Sequence, residues 1–279
     1  TENAIDIDGY NKVNPTSANI KITTGTNEHT FYYTKKNDLS YTVNYLEKDT
    51  NNVLHTAKTV ENQTFGTVVT ASVTNNAIEK PEAIDGYNCV EVDKETLTIG
   101  TSTNEINFYY TKRNDLSYTV NYLEKDTNNV LHDAKTVENK TFEEIITASV
   151  NGNAIEKPET IDGYNCIEVD KETLTIGTDI SKNVINFYYT KRNDLSYTVY
   201  YKEQRTEKEL ANAKVVDGKT FGDVVTENAI DIDGYNKVNP TSANIKITTG
   251  TNEHTFYYTK KNDLSYTVNY LEKDTNNVL

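Results

Sequence analysis

The chain has 279 residues, and residues 1–54 recur letter for letter as residues 226–279, so a unit of 225 residues is followed by the start of another copy. Its formal net charge of −14 argues against a nucleic-acid partner and against an anionic membrane surface, because both repel an acidic protein. Leu, Ile, Val and Phe make up about 23% of the residues, a little above the roughly 20% that marks disorder, whereas 21 Tyr favour a folded chain with small cores.

The string Ser-Tyr-Thr-Val divides the 225-residue unit into three related modules. It begins at Ser40, Ser117, Ser196 and Ser265. These positions predict repeat modules at 40–116, 117–195 and 196–264, of which the third is shorter and divergent. Residues 1–39 are then the C-terminal part of a third-type repeat, and residues 265–279 are the N-terminal part of a first-type repeat. Because the chain has no Met, no signal segment and no apolar run that spans a bilayer, we expect an internal, non-membrane part of a longer protein.

The first half of the module at 40–116 is predicted to begin with a β-hairpin. Tyr41, Val43 and Tyr45 alternate with polar residues, which is typical of a half-buried strand. Residues 48–52 are rich in Asp and Asn and predict a turn, after which residues 53–60 form the second strand. Residues 64–72 fit either one short helical turn or an irregular strand, and residues 75–83 are expected to be a loop.

The second half of the module is predicted to be a further set of strands. The sequence Asp85-Gly86-Tyr87 marks a turn into a strand at 87–92, which is followed by a Thr-rich strand at 95–99 and a turn at 100–104. Residues 105–111 close the module, and residues 112–116 link it to the next one without Gly, Ser or Pro. Together these elements predict a mainly β fold.

Three sequence elements resemble the MucBP (mucin-binding protein) repeats of Gram-positive surface proteins. They are the opening strand Thr42-Val43-Asn44-Tyr45, the central Ile84-Asp85-Gly86-Tyr87 and the closing Phe108-Tyr109-Tyr110, and all three recur in the next two modules. The resemblance covers essentially the whole chain. It implies a tandem array of small β-grasp (ubiquitin-like) modules, carried by an adhesin on the bacterial cell wall.

A β-grasp module has a mechanical consequence. If its first and last strands lie side by side and parallel, the chain enters each module at one end and leaves at the other. Strands of about 7–8 residues rise roughly 3.3 Å per residue, so that each module spans ~30–40 Å and three modules form an elongated rod on the order of 100 Å. The expected product is a stalk.

The residues that bear reactive or metal-binding groups do not form a recognisable site in the sequence. Cys89 and Cys166 occupy equivalent places one module apart, so two unpaired thiols are expected in place of a bridge. The segment Asp6-Ile7-Asp8-Gly9 departs from the calcium-loop pattern and is interpreted as a turn. No nucleophile motif, metal-ligand spacing or cofactor motif occurs, so we expect no catalytic, metal or cofactor-binding residues, and the sequence identifies no ligand-binding residue. The four His lie singly, at His29, His55, His132 and His254.

Two sets of residues leave alternatives open. Lys58, Lys135 and Lys214 share one position in the second strand, where an exposed Lys protects a sheet edge and a buried Lys crosslinks to Asn or Asp. Tyr109 and Tyr188 lie on the face opposite the core-facing Tyr, where they either stack on sugars or pair across strands.

The sequence thus predicts a non-enzymatic, extracellular stalk or adhesion region of a cell-wall-attached protein. Such a region projects a distal binding region. Its partners are neighbouring repeats and, as the resemblance implies, a host glycoprotein or glycan bound weakly and multivalently. The alternative is a structural subunit of an extracellular surface filament, in which identical chains pair through strand addition.

Overall fold

The structure is a computed structural model that describes residues 1–74, 76–275 and 277–278. The described chain is mainly β, as predicted, and contains one short 3₁₀ helix at Ile180–Lys182. It falls into two compact units. One unit comprises residues 1–118, 136–146 and 174–184, and the other comprises residues 119–135, 147–173 and 185–279.

The strands follow the sequence repeats. Residues 1–112 form β1 (Glu2–Asn3), β2 (Tyr10–Lys12), β3 (Ser17–Ala18), β4 (Tyr33–Lys35), β5 (Leu39–Glu47), β6 (Val53–Gln63), β7 (Val68–Thr70), β8 (Tyr87–Val92), β9 (Thr96–Thr98) and β10 (Glu105–Lys112). Residues 116–191 form β11 (Leu116–Glu124), β12 (Val130–Lys140), β13 (Ile145–Thr147), β14 (Tyr164–Val169), β15 (Thr173–Thr175) and β16 (Val184–Lys191). Residues 195–260 form β17 (Leu195–Glu203), β18 (Glu209–Lys219), β19 (Val224–Asn228), β20 (Tyr235–Lys237), β21 (Ser242–Lys246) and β22 (Glu253–Lys260).

Each repeat is built on one four-stranded mixed sheet. In the first repeat the order is β6-β5-β10-β8. The predicted hairpin joins β5 to β6, and its turn places Asp49 and Asn51 at positive φ, which short polar residues tolerate. The first and last strands, β5 and β10, pair in parallel, with Val43 opposite Ile106 and Tyr45 opposite Phe108. The second and third repeats have the same order, β12-β11-β16-β14 and β18-β17-β22-β20.

The core of the first repeat lies on one face of this sheet. The alternating residues of β5 and β10 point to that face and are buried, as the period of two predicts. A two-stranded sheet of β7 and β9 covers them and contributes Val69 and Leu97. A strand therefore forms in residues 64–72, and the alternative of a helical turn is wrong. In the loop predicted at 75–83, residue 75 lies outside the described residues, and Glu79 is buried and bridges to Ala71.

The duplicated 54-residue sequence adopts different structures in its two copies. Ile247 and Phe256 are buried in the third repeat, at 0% and 1% exposure, whereas the identical Ile22 is 77% exposed. The opening strand β5 buries Tyr41 and Val43, but its copy at 264–272 leaves Tyr266 88% exposed. Complete burial of one such side chain contributes about 1.5–3 kcal/mol, so partner strands that cover this apolar face stabilise the sequence as a sheet.

Candidate functional site at the repeat junctions

The most regular feature of the molecule is the contact between one repeat and the next. It is built from three parts, which together are called the repeat junction below. They are the Ile-Asp-Gly-Tyr turn of one repeat, the single basic residue that follows its closing strand, and a Phe in the next repeat. The three junctions contain Gly9, Lys36 and Phe65; Gly86, Arg113 and Phe142; and Gly163, Arg192 and Phe221.

The turn of each junction requires glycine. In the second junction the Tyr87 amide donates to the Ile84 carbonyl at 3.1 Å, which closes a β-turn, and Gly86 takes a φ of 78°. Glycine adopts such a φ without the steric cost that a side chain imposes. A Cβ on Gly86 would also lie 2.4 Å from ring carbons of Phe142. Glycine therefore both forms the turn and admits the ring.

A chain of backbone hydrogen bonds passes through the basic residue. The Arg113 amide donates to the Gly86 carbonyl at 2.9 Å, and the Arg113 carbonyl accepts from the Phe142 amide at 2.8 Å. The first and third junctions repeat both bonds at 2.8–2.9 Å through Lys36 and Arg192. Because one residue is bonded to both repeats, its φ and ψ are fixed, and the linker loses the freedom of a flexible segment.

Aromatic and polar contacts flank this backbone chain. The Tyr87 and Phe142 rings meet edge to face with centroids 5.8 Å apart, a geometry that stabilises aromatic pairs by about 0.5–1.5 kcal/mol. Tyr10 with Phe65 and Tyr164 with Phe221 repeat this contact at 5.6 and 5.9 Å. On the other side, a Thr hydroxyl donates to the Asp carboxylate of the turn. These pairs are Thr101 with Asp8, Thr178 with Asp85 and Thr249 with Asp162.

The segment 6–9 is a turn, as expected, with the Tyr10 amide donating to the Ile7 carbonyl. Asp6 pairs with Lys12 at 2.9 Å, and Asp8 accepts from Thr101. No group of three or more His, Cys, Asp or Glu side chains suited to a metal ion occurs among the described residues. Within this segment the carboxylates are used to hold the turn and the junction.

The second junction contains an ion pair of its own. Lys112 donates to Glu143 at 2.8 Å, and this contact raises the pKa of the Lys112 ammonium. Glu143 has a φ of 64°, where the other repeats have Gly66 and Gly222 at 79° and 85°. A non-glycine residue in this region costs roughly 1–2 kcal/mol. An exposed ion pair offsets about 0–1 kcal/mol of that cost.

A second repeated cluster joins the edge strand of each repeat to a buried glutamate. The Lys58 ammonium lies 2.7 Å from the Glu79 carboxylate, which is 3% exposed and also accepts from the Tyr41 hydroxyl. Lys135 with Glu156, and Lys214 with Glu227, repeat the ion pair at 2.8 and 2.7 Å. In the third repeat the Lys214 hydrogen bond lowers the pKa of Glu227, and the same bond raises the pKa of Lys214.

These contacts show where Lys58, Lys135 and Lys214 lie and what their ammonium groups bind. Each lies on the outermost strand of its sheet, as a Lys that protects an edge does. Its ammonium nevertheless binds a Glu carboxylate beneath the edge, a partner that the sequence did not suggest. The Glu holds a loop or short strand against the sheet. The cluster is therefore a structural clamp.

The remaining reactive side chains lie singly. Within the described part of the chain, Cys89 and Cys166 are free thiols, as expected, and burial raises the pKa of both. His55 and His132 contact the rings of Tyr45 and Tyr122 with centroids 5.4 Å apart. His29 and His254 contact the Phe two residues later at 4.7 and 4.6 Å. The four His therefore pack against aromatic rings.

Two comparisons with known proteins found no match. No known family profile matches the chain, and no curated protein matches it. The resemblance to the MucBP repeats rests on the residues alone and stays a prediction. In the described part of the chain, no helix has the length and apolar character needed to cross a membrane.

Proposed function

We propose that the chain is a non-enzymatic tandem-repeat stalk and adhesion region of a bacterial cell-surface protein. The observation that carries the proposal is the repeat junction, which recurs three times with the same turn, backbone bonds and ring contact. A catalytic domain has no need for such a joint, whereas a stalk depends on joints that resist bending.

The topology of each repeat supports the same role. In the first and third repeats, the opening and closing strands pair in parallel, so the chain enters the sheet at one end and leaves at the opposite end. This is the property that leads us to assign β-grasp modules and an elongated rod. The next repeat begins at once, since β10 ends at Lys112 and β11 begins at Leu116. Each module then adds its own length, and the stalk projects a distal binding region from the cell wall.

The acidic surface fits an exposed extracellular position. A net charge of −14 keeps parallel stalks apart and limits aggregation. The adhesive part of the proposal, weak and multivalent binding to mucin-type glycans of a host glycoprotein, comes from the resemblance. Several weak sites on one stalk raise the overall avidity without tight binding at any one of them.

Antibody labelling of the cells that make the protein tests the location. An antibody raised against the 279-residue chain is expected to label intact cells as strongly as permeabilised ones. Labelling that appears only after permeabilisation would contradict a surface stalk. Retention of the chain on immobilised mucin, with an acidic protein of similar charge as the control, tests the adhesive part separately.

A filament subunit is the second candidate, and one observation favours it. Tyr266, Val268 and Tyr270 are 88%, 54% and 70% exposed, although the same residues in β5 are buried in a sheet. A strand with this apolar face is able to add to the edge of a sheet in an identical chain. Light scattering would support the filament if the measured mass rises with concentration and if Val268→Asp abolishes this rise. A constant monomer mass would exclude it.

A further inference from the structure

The outer face of the first repeat carries an ordered set of polar and aromatic side chains. This face is the side of the sheet opposite the core, and Asn44, Asn107 and Tyr109 point to it because they alternate with the buried Val43, Phe108 and Tyr110. All three are partly exposed.

The amides on this face are fixed by a ladder of hydrogen bonds. Asn44 donates to Asn107 at 2.8 Å, and the Asn107 side chain donates to Asp93 at 2.9 Å. The backbone amide of Asn107 donates to the other Asp93 oxygen at 2.9 Å. Polar groups that are held in place in this way bind a ligand without first losing rotational freedom.

Beside the ladder, Tyr109 borders an open cleft of about 290 Å³. Its other lining residues are Lys48, Asp49, Asn51 and Glu91. Lys48 and Glu91 pair at 2.9 Å, and this contact raises the pKa of the ammonium. Asp49 and Asn51 are held at φ of 69° and 57° by the hairpin turn, so the turn fixes where they stand at the cleft. The cleft thus presents one aromatic ring bordered by a carboxylate, an amide and an ion pair.

The second repeat contains the same constellation. Its residues are Lys125, Asp126, Asn128, Glu168 and Tyr188. Lys125 and Glu168 form the ion pair at 2.7 Å, and the turn holds Asp126 and Asn128 at φ values of 70° and 57°. Asn121 donates to Asn186, and Asn186 donates to Asp170, both at 2.8 Å. Two copies of one surface therefore stand on successive repeats.

The third repeat keeps the tyrosine but loses the constellation. In this repeat Gln204 stands at the position of Lys48, Arg205 at that of Asp49 and Asn239 at that of Glu91. The Tyr257 hydroxyl lies 3.4 Å from Glu207, which also pairs with Lys202 at 3.6 Å. Tyr200 and Thr255 replace the two Asn of the ladder. This repeat serves as a natural control, because its sheet is the same and its outer face differs.

We infer that the outer faces of the first and second repeats each bind a neutral sugar residue of an oligosaccharide, with Tyr109 and Tyr188 as the stacking rings. The apolar face of a pyranose packs on the ring, and the Asp, Asn and Glu side chains accept and donate hydrogen bonds to its hydroxyls. Carboxylates at the cleft disfavour sialylated or sulfated sugars, because like charges repel. This inference rests on the glycan-binding part of the proposed function and assigns its residues.

The test uses the full chain on a printed panel of oligosaccharides that end in neutral hexoses or N-acetylhexosamines, with their sialylated and sulfated forms beside them. The wild-type chain is expected to bind neutral forms. Tyr109→Ala with Tyr188→Ala is expected to lower binding at least tenfold, and each single variant is expected to lose the gain from bivalency. Tyr257→Ala is the matched control and is expected to bind as the wild type does. Preference for acidic sugars, a blank panel, or equal loss with the control would overturn the inference.

A second variant protects the test against a folding defect. Glu91→Gln with Glu168→Gln keeps both rings, removes the charge of an accepting group and breaks its exposed ion pair with Lys48 or Lys125. Because exposed pairs contribute little to stability, binding is expected to fall severalfold while the thermal midpoint stays near that of the wild type. Unchanged binding in this variant would contradict the assigned site. Antibody labelling of intact cells involves no sugar, so failure of this inference and failure of the surface stalk are separate results.

Discussion

Replacement of Gly86 by Ala tests the repeat junction at its most crowded point. Two costs follow from the structure. A side chain at φ 78° costs roughly 1–2 kcal/mol, and a Cβ at 2.4 Å from the Phe142 ring forces the ring to move, which adds about 1–3 kcal/mol. Gly234→Ala is the matched control, because its φ is 77° and none of the described atoms lies within 4 Å of its ideal Cβ. Only the backbone cost applies there.

Hydrogen exchange at single amides measures the difference between the two variants. The Arg113 amide reports on Gly86, and the Lys261 amide, which donates to the Gly234 carbonyl at 2.9 Å, reports on the control. The free-energy cost of displacing the ring, about 1–3 kcal/mol, corresponds to about 5- to 150-fold faster exchange at the Arg113 amide beyond the increase seen at the Lys261 amide. Equal increases at both amides would refute the claim that the ring contact holds the junction.

Further predictions concern the ion pairs. Lys58→Ala leaves the buried Glu79 without its cation and is expected to lower the free energy of unfolding by about 1–3 kcal/mol. Lys112→Ala removes an exposed ion pair and is expected to lower it by less than about 1 kcal/mol. Thermal unfolding measures both changes. The pKa of Glu227 is lowered in the fold, so its contribution is present above its unfolded pKa of 4.5 and is lost as the pH falls through the lower folded value. Glu227→Gln is therefore expected to flatten the acid limb of the stability curve, and an unchanged limb would contradict the clamp.

The strands were predictable because their pattern is local. Tyr41, Val43 and Tyr45 alternate over a few residues, and the structure buries all three. Residues 64–72 were ambiguous because β7 is ordered by pairing with β9, which lies far along the chain. Phe65, in the same segment, packs on Gly9 and Tyr10 of the preceding repeat. Sequence periodicity within a repeat carries no signal for such a contact.

The buried Glu of the clamp was not predictable from the sequence. Glu79 falls in a predicted loop, where a charged residue is expected to be exposed, yet it is buried against Lys58 and Tyr41. Its counterpart in the shorter third repeat is Glu227, which lies in a strand, so alignment of the repeats does not bring the two together. Burial in the duplicated segments also depends on the neighbouring strands. The same residues are buried where neighbouring strands cover them, as Ile247 is, and exposed where none does, as Ile22 is.

The radius of gyration of the 279-residue chain in solution tests the central claim most directly. The proposed rod of three modules in series, on the order of 100 Å long, would have a radius of gyration of about 30 Å. A compact protein of this length would give about 19 Å. Small-angle X-ray scattering is expected to yield the larger value, independent of concentration in the monomer. A value near 19 Å would contradict a stalk of repeats held apart by their junctions.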